Sequence, residues 1–243
     1  MSTKFLGKKN TSTVLEYSPN ILDLIHRSKI DFENCYGVDY WNAYEFSFLN
    51  NSNQQVLETI EIKIPFNSDF TIESKSLKMY LATFYKKKFK DKSNVYKLIE
   101  KDLSKLTNSK VSVRKIIKFT LPPKSILLNN ASSNIKKDNV IRYEGFRSIC
   151  PVTSQPDWAN IYLHSSTNSI DPKKIIKLLK SYREKGDFHE DCIGSIFLSL
   201  LSDFAMDDIS VCGRFLRRGG IDINPVRSTN KKIIFKNFRD FSQ

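Results

Sequence analysis

The sequence contains no long hydrophobic run and few of the residues that mark metal or redox sites. No apolar stretch approaches the ~20 residues needed to cross a bilayer, so no membrane-spanning helix is expected. The segment Met1–Asn10 is basic but has no apolar core, which argues against a secretory signal. The four cysteines form no Cys-x-x-Cys pair, so neither a zinc ribbon nor a thioredoxin-type site is indicated. We therefore expect free thiols, a cytoplasmic location and no membrane partner.

Negative charge is also scarce. Lysine and arginine number 39 against 26 acidic residues, which gives a formal net charge of +13. Such an excess fits nucleic-acid binding, but the lysines are spread through the chain and the densest cluster, residues 85–92, closes a predicted helix where cations meet the dipole. A solvated charged face is therefore expected, with no direct nucleic-acid partner. The surface could still attract an anionic ligand such as a phosphorylated cofactor.

Hydrophobic periodicity predicts the same order of elements in both halves of the chain. In the first half we expect strands at 39–49 and 54–65, helices at 74–89 and 94–106, and a strand at 110–119. In the second half we expect strands at 139–149 and 158–164, a helix opened by Asp171-Pro172, a helix at 190–204 and a strand at 209–215. Two β-β-α-α-β units predict an α+β fold, with modules at 1–128 and 139–243 joined by a linker at 129–138.

The stretch Ser148–Ala159 is the most informative part of the sequence. A proline follows Cys150, and a second proline precedes Asp157, so a thiol and a carboxylate lie seven residues apart on a stiffened segment. This arrangement favours a nucleophile and an acid held in fixed positions. The alternative is a small buried cysteine that takes no part in chemistry.

Three further stretches are candidates for binding or catalysis. Phe188-His189-Glu190 lies between two predicted helices, where the pair could act in a site or be a helix cap and a surface imidazole. The segment Ile72–Lys78 opens a helix; Ser74 is the expected N-cap, and the segment could also bind an anion. The segment Arg217–Gly220 could be a plain turn, or could offer charge and close backbone approach to phosphate.

Together these stretches resemble one family, the NADPH-dependent 7-cyano-7-deazaguanine reductases of queuosine biosynthesis (the QueF family) in their long, two-module form. The motifs Cys-Pro-Val-Thr-x-Gln-Pro-Asp-Trp, Glu-Ser-Lys-Ser-x-Lys, Phe-His-Glu and Arg-Arg-Gly-Gly-x-Asp-Ile-Asn-Pro are intact and in family order. The resemblance covers about Gly37 to Ser228. It implies tandem tunnelling-fold (T-fold) modules related to GTP cyclohydrolase I, with antiparallel sheet backed by paired helices, and a homodimer.

The resemblance implies a four-electron reduction of a nitrile to an amine with two NADPH, and it assigns roles to residues of this chain. Cys150 is the expected nucleophile, which forms a covalent thioimide, and Asp157 is the expected proton donor. No metal is expected. The residues expected to bind the deazapurine substrate are Ile72, Glu73, Ser74, His189 and Glu190. The residues expected to bind NADPH are Ser74, Lys75, Arg218 and Gly219.

Each half contains motifs that the other lacks. Where the first half has Glu-Ser-Lys-Ser from Glu73, the second has Asp-Pro-Lys-Lys from Asp171, and only the second half has the Cys-Pro segment at Cys150. We therefore expect both halves to be needed for activity.

Two other functions fit parts of the sequence. A T-fold thiol enzyme that hydrolyses a pterin or deazapurine would need a metal site, but His26 and His164 have no Cys or His near them in sequence. An RNA-binding module is favoured by the charge alone. In the reductase family the link to tRNA is metabolic, through the free base.

Overall fold

The computed structural model describes residues 16–27 and 34–243, and the basic segment Met1–Asn10 lies outside them. The described residues form a mixed α+β structure. Its strands are β1 (Leu24–His26), β2 (Tyr36–Leu49), β3 (Gln55–Pro65), β4 (Phe70–Ile72), β5 (Ser112–Lys115), β6 (Ile126–Leu127), β7 (Val140–Ile149), β8 (Pro156–His164), β9 (Ser210–Phe215) and β10 (Ile221–Ser228). Its α-helices are α1 (Ser74–Ala82), α2 (Lys92–Thr107), α3 (Pro172–Lys180) and α4 (His189–Ser202). No helix of this described part is long and apolar enough to cross a membrane.

The chain divides into two compact units. Unit 1 comprises Tyr40–Lys118 and Arg217–Asp222 with the described residues of the N-terminal segment. Unit 2 comprises Phe119–Leu216 and Ile223–Gln243 with residues 34–39. Each unit has its own strands, helix pair and buried core.

Unit 1 has a sheet in the order β5-β3-β2 and a core of aromatic and branched side chains. β3 and β5 are antiparallel, with Ile62 opposite Val113. Alternate residues of β3 are buried because they lie on one face of the strand. Phe46 packs edge-on against Phe84 at a centroid distance of 5.5 Å, which joins β2 to the turn after α1. A separate antiparallel pair, β1 with β4, leads directly into α1.

Unit 2 has a sheet in the order β10-β9-β8-β7-β6, in which only β6 and β7 are parallel. Its core is one cluster of buried apolar side chains from the strands and from α3 and α4. The C-terminal residues also pack on this unit: Asp240 accepts hydrogen bonds from Asn160 at 2.9 Å and from Tyr162 at 2.7 Å.

The predicted strands and helices are all present in the predicted order, but two bounds were wrong and four strands were not predicted. α1 ends at Ala82 and not near Phe89, because the backbone of Phe89 donates to the carbonyl of Leu49 at 2.9 Å and is therefore extended. The strand predicted at 110–119 covers only Ser112–Lys115. Strands β1, β4, β6 and β10 were not predicted, and the motif that begins at Arg217 continues into β10.

Candidate active site

Cys150 lies at the tip of a β-hairpin in unit 2, immediately after β7. Its backbone N–H donates to the carbonyl of Gln155 at 2.9 Å, and its carbonyl accepts from the N–H of Ser154 at 3.0 Å. Ser154 closes this loop with a φ of 56°, in the left-handed region. Pro156 then begins β8, a position where the missing N–H of proline is tolerated. The half-buried thiol is thus held by backbone hydrogen bonds on both sides of its own residue.

The same hairpin carries Asp157, the second residue of β8. Ser148 lies opposite Asp157 in the antiparallel register, and Cys150 is the second residue after Ser148. Ser148 and Asp157 therefore point to one face, and the turn that contains Cys150 follows directly from the end of β7.

His189 contacts the Asp157 carboxylate. Its Nε2 atom lies 3.3 Å from Oδ2 of Asp157, whose side chain is only 6% exposed. The imidazole ring stacks on the ring of Phe215 in β9, with centroids 3.9 Å apart and planes at 6°. Buried Nδ1 of His189 has no hydrogen-bond partner among the described residues. The imidazole is therefore fixed by stacking on one face and by a carboxylate at one nitrogen.

The loop between α3 and α4 packs against the hairpin and precedes His189. The N–H of Ile149 donates to the carbonyl of Lys185 at 3.0 Å. A Cβ on Gly186 would lie 3.6 Å from Cα of Pro151, so this loop passes close to the Cys150 turn. Helix α4 begins directly after this loop. Its first residue, His189, therefore lies close to the hairpin.

Glu190 lies in the first turn of α4 and is 4% exposed. The carbonyl of Glu190 accepts a hydrogen bond from Nη2 of Arg227 at 3.4 Å. Arg227 also donates to Asp39 at 2.7 Å, and both side chains are almost fully buried. A buried ion pair therefore supports the backbone at the start of α4.

In unit 1, Glu73 is the N-cap of α1, and the prediction that Ser74 would cap this helix was wrong. The two carboxylate oxygens of Glu73 accept from the N–H groups of Lys75 at 2.6 Å and Ser76 at 2.8 Å. Glu73 is fully buried. Burial raises the pKa of this carboxyl against the lowering effect of the two backbone donors. Ser74 is instead the first helical residue, and its hydroxyl donates to Glu73 at 3.5 Å.

Ile72 and Lys75 flank this cap. Ile72 ends β4 opposite Leu24 and is 1% exposed. Lys75 is half-buried in the first turn of α1, beside the N–H groups that favour negative charge.

Arg218 and Gly219 belong to a tight two-residue turn that begins β10. The N–H and the carbonyl of Arg218 bond reciprocally to Ile221 at 2.8 and 3.1 Å. Gly219 and Gly220 have φ values of 56° and 81°, as a type I′ turn requires. A Cβ on Gly219 would lie 3.3 Å from Nζ of Lys78, so this turn lies beside α1.

The predicted site residues fall into two sets, one in each unit. Unit 2 contains Cys150, Asp157, His189 and Glu190. Unit 1 contains Ile72, Glu73, Ser74, Lys75, Arg218 and Gly219. Within residues 16–27 and 34–243, no three His, Cys, Asp or Glu side chains are arranged to hold a metal ion.

The unit 1 set suits an anionic cofactor. It combines cations, which lie on one helix and in one turn, with a glycine that has no side chain to cover the backbone. Cations and exposed backbone N–H groups are the groups that bind phosphate.

Two side chains that lie against these sets, Lys78 and Phe215, were not assigned to the site from the sequence. Lys78 follows Lys75 by three residues, so helical spacing could have placed both on one face. Phe215, which supports His189, gave no comparable signal because strand pairing, not local sequence, brings β9 to α4.

Residues 15–115 match a family described as "Nitrile reductase, 7-cyano-7-deazaguanine-reductase N-term", and residues 156–233 match one described as "QueF-like protein". The candidate residues Glu73 and Lys75 lie in the first match, and Asp157, His189 and Arg218 lie in the second.

Curated relatives extend the similarity over most of the chain. A protein of Coxiella burnetii (strain Dugway 5J108-111) is 37% identical over 228 residues, covering 86% of this chain and 82% of the relative. One of Buchnera aphidicola subsp. Schizaphis graminum is 34% identical, covering 84% and 88%, and one of Hahella chejuensis is 32% identical, covering 96% of both. All three are named "NADPH-dependent 7-cyano-7-deazaguanine reductase". The chain belongs to the family of NADPH-dependent 7-cyano-7-deazaguanine reductases.

Proposed function

We propose that this protein reduces the nitrile of 7-cyano-7-deazaguanine to the primary amine of 7-aminomethyl-7-deazaguanine, in the biosynthesis of queuosine. The main support is the 37% identity over 228 residues to a protein named for this reaction. The hairpin that presents Cys150 beside a buried carboxylate supplies the groups that the chemistry needs.

Cys150 would be the nucleophile. Its sulfur would add to the nitrile carbon, so that a carbon–sulfur bond forms as one of the three carbon–nitrogen bonds breaks. The product is a covalent thioimide, and its nitrogen takes up one proton. The half-buried position of Cys150 suits this step, because the thiol can be reached and the backbone that carries it is held by Gln155 and Ser154.

Asp157 would supply the proton to nitrogen, and His189 would orient it. Both side chains are largely buried, so the proton passes between groups that are held in place and shielded from water. The stacking of His189 on Phe215 keeps the imidazole plane fixed during this transfer.

Carboxylates would recognise the deazaguanine ring. A carboxylate can accept two parallel hydrogen bonds from a ring N–H and an exocyclic amine, and Glu190 is the residue we assign to this role. Glu73, Ile72 and Ser74 would also line the substrate pocket. The raised pKa of Glu73 means that its carboxyl keeps its proton to higher pH than an exposed glutamate does.

NADPH would bind to the cations of unit 1. Lys75, Arg218 and the adjacent Lys78 would face its phosphates, while Ser74 and the open backbone of Gly219 would contact it closely. The cofactor supplies hydride, and two molecules are needed for the four-electron reduction.

Both residue sets would be required for turnover, because substrate recognition and cofactor binding draw on unit 1 and covalent chemistry on unit 2. We also propose that the modules, at 1–128 and 139–243, have the T-fold, that the enzyme is a cytoplasmic homodimer, and that it binds no nucleic acid directly. Size-exclusion chromatography with light scattering tests the dimer.

The decisive experiment follows NADPH absorbance with 7-cyano-7-deazaguanine for the wild type, Cys150→Ala and Asp157→Ala. We expect both variants to lose turnover, and mass spectrometry to find the covalent adduct in Asp157→Ala but not in Cys150→Ala. Cys212→Ala, which removes a fully buried thiol elsewhere in unit 2, is the matched control and should retain the adduct. A wild type that leaves NADPH unchanged would refute the proposed function.

A further inference from the structure

In unit 1, the turn at Arg217–Gly220 is attached to β2 by contacts with residues that have not been assigned to the site. Gly220 accepts a backbone hydrogen bond from the N–H of Tyr44 at 2.9 Å. A Cβ on Gly220 would lie 2.7 Å from a carboxylate oxygen of Glu45, and the φ of 81° at this position favours glycine. The turn is therefore seated on Tyr44 and Glu45 and is not a free surface loop.

Asp222 is a buried aspartate that follows the turn and Ile221. One of its oxygens accepts from Nδ2 of Asn42 at 2.8 Å, and the other accepts from the phenol of Tyr44 at 2.5 Å. Asp222 is 1% exposed. A carboxylate buried to this extent needs such donors, and in return it fixes the orientation of the Tyr44 side chain.

Tyr44 in turn holds Arg217. The guanidinium carbon of Arg217 lies 4.7 Å from the centroid of the Tyr44 ring, the geometry of a cation–π contact. Arg217 is exposed, so without this ring its long side chain would sample many conformations. Arg217 and its neighbour Arg218 are both exposed, so a phosphate can reach both guanidinium groups.

We propose that Arg217 is a further NADPH-binding residue, and that Tyr44 and Asp222 are positioning residues that hold it ready for a phosphate group. This inference rests on the proposed function, since it names another contact to the same cofactor. A guanidinium held on an aromatic face loses less conformational entropy when it binds phosphate than a free one does.

The experiment measures the dissociation constant of NADPH for the full chain by calorimetry, without substrate. Arg217→Ala should raise this dissociation constant about tenfold, because one charge-assisted contact is lost. Tyr44→Leu should raise it by a similar factor, and Tyr44→Phe, which keeps the ring but loses the bond to Asp222, by about threefold. Lys101→Ala removes one exposed positive charge from α2 and controls for net charge; it should change the constant less than twofold.

A double variant separates positioning from a general structural role. If Tyr44 acts through Arg217, Tyr44→Leu in the Arg217→Ala background should weaken NADPH binding no further. The covalent adduct with 7-cyano-7-deazaguanine should form in Arg217→Ala as in the wild type, because it needs no cofactor.

The outcomes distinguish the two proposals. A wild type that does not bind NADPH refutes both the proposed function and this inference. A wild type that binds NADPH while Arg217→Ala binds it equally well refutes the inference alone. If the fold-changes in the NADPH dissociation constant caused by Tyr44→Leu and Arg217→Ala multiply in the double variant, the positioning role of Tyr44 is refuted.

Discussion

Asp157 and His189 form a buried contact in which Oδ2 of the aspartate lies 3.3 Å from Nε2 of the histidine. The two residues come from different elements, a strand that follows the Cys150 turn and the first turn of α4. The contact therefore depends on the loop before α4 and on the stacking of His189 against Phe215. Through it, the proposed acid contacts a ring that stacks on Phe215.

His189→Phe tests the hydrogen-bonding role of the imidazole without removing its packing. A phenyl ring can stack on Phe215 as the imidazole does, so the melting temperature should change little. The bond to Asp157 is lost, and we expect kcat for nitrile reduction to fall about 100-fold, in the range of acid–base contributions. His189→Ala, which loses both contacts, should lower stability as well. A His189→Phe enzyme with wild-type kcat would contradict the role given to the imidazole.

Two of the four thiols are fully buried and three have a raised pKa, which predicts the order of their alkylation. Cys192 and Cys212 are fully buried, and burial raises the pKa of Cys212 to about 11 and that of Cys192 further. Burial also raises the pKa of half-buried Cys35 to about 11, although Arg227 opposes this. Because thiolates are the reactive form, iodoacetamide should label Cys150 first in the native protein.

Peptide mass spectrometry over a time course measures this order. Cys150→Ala should remove the fast phase and leave the slower ones unchanged. Excess 7-cyano-7-deazaguanine should protect Cys150 but not Cys35. Labelling of Cys35 before Cys150 would contradict the prediction.

The raised pKa of Glu73 predicts how stability depends on pH. The folded state keeps the Glu73 proton above the usual value of 4.5, where the unfolded state has lost it. The free energy of unfolding of the wild type should therefore fall, relative to Glu73→Gln, as the pH rises from about 4.5 through the folded-state pKa. Urea unfolding of both proteins at several pH values measures the difference, and a constant difference would contradict the prediction.

Glu58, which also lies in unit 1, provides a control because its pKa is shifted in the opposite direction. Burial opposes its ionisation, but hydrogen bonds from Lys115 and Tyr96 and the nearby charge of Lys92 lower its pKa overall. The stabilisation from Glu58 is therefore present above the unfolded-state pKa and is lost as the pH falls through the folded-state value. Relative to Glu58→Gln, the wild type should lose stability below a pH of about 4.5.

Periodicity predicted the parts of the fold in which one face is apolar. Residues 193–201 of α4 repeat at helical spacing, and the structure buries that stripe. Strand β10 gave no such signal, because all eight of its residues are buried and several are polar. Asp222 and Arg227 are satisfied by residues far away in sequence, Tyr44 and Asp39, and local patterns cannot show these partners.

The candidate site was predictable as a set of residues and not as a geometry. Motif resemblance named Cys150, Asp157 and Glu190, since each lies in a short stretch with a distinctive spacing. The N-cap was assigned to Ser74 because serine caps helices more often than glutamate does. Glu73 caps instead because its fully buried carboxylate must accept the two N–H groups that it meets there.

The buried ion pair of Arg227 and Asp39 predicts a strong and asymmetric response to mutation. Their side chains are 2% and 0% exposed, and Nη1 of Arg227 lies 2.7 Å from Oδ1 of Asp39. Asp39→Asn would leave a buried guanidinium without its counter-charge and should lower the free energy of unfolding by about 3–5 kcal/mol. The double variant Asp39→Leu with Arg227→Met, which removes both charges, should recover most of that loss.

Glu144→Gln is the matched control for this prediction, because it breaks a 2.9 Å pair with Arg142 that is partly exposed. It should lower the free energy of unfolding by no more than about 1 kcal/mol. Urea denaturation of the four proteins measures the comparison, and an Asp39→Asn variant no less stable than Glu144→Gln would contradict it. Because Arg227 also donates to the carbonyl of Glu190, Asp39→Asn should loosen the start of α4 and raise KM for the deazapurine more than it changes the dissociation constant of NADPH.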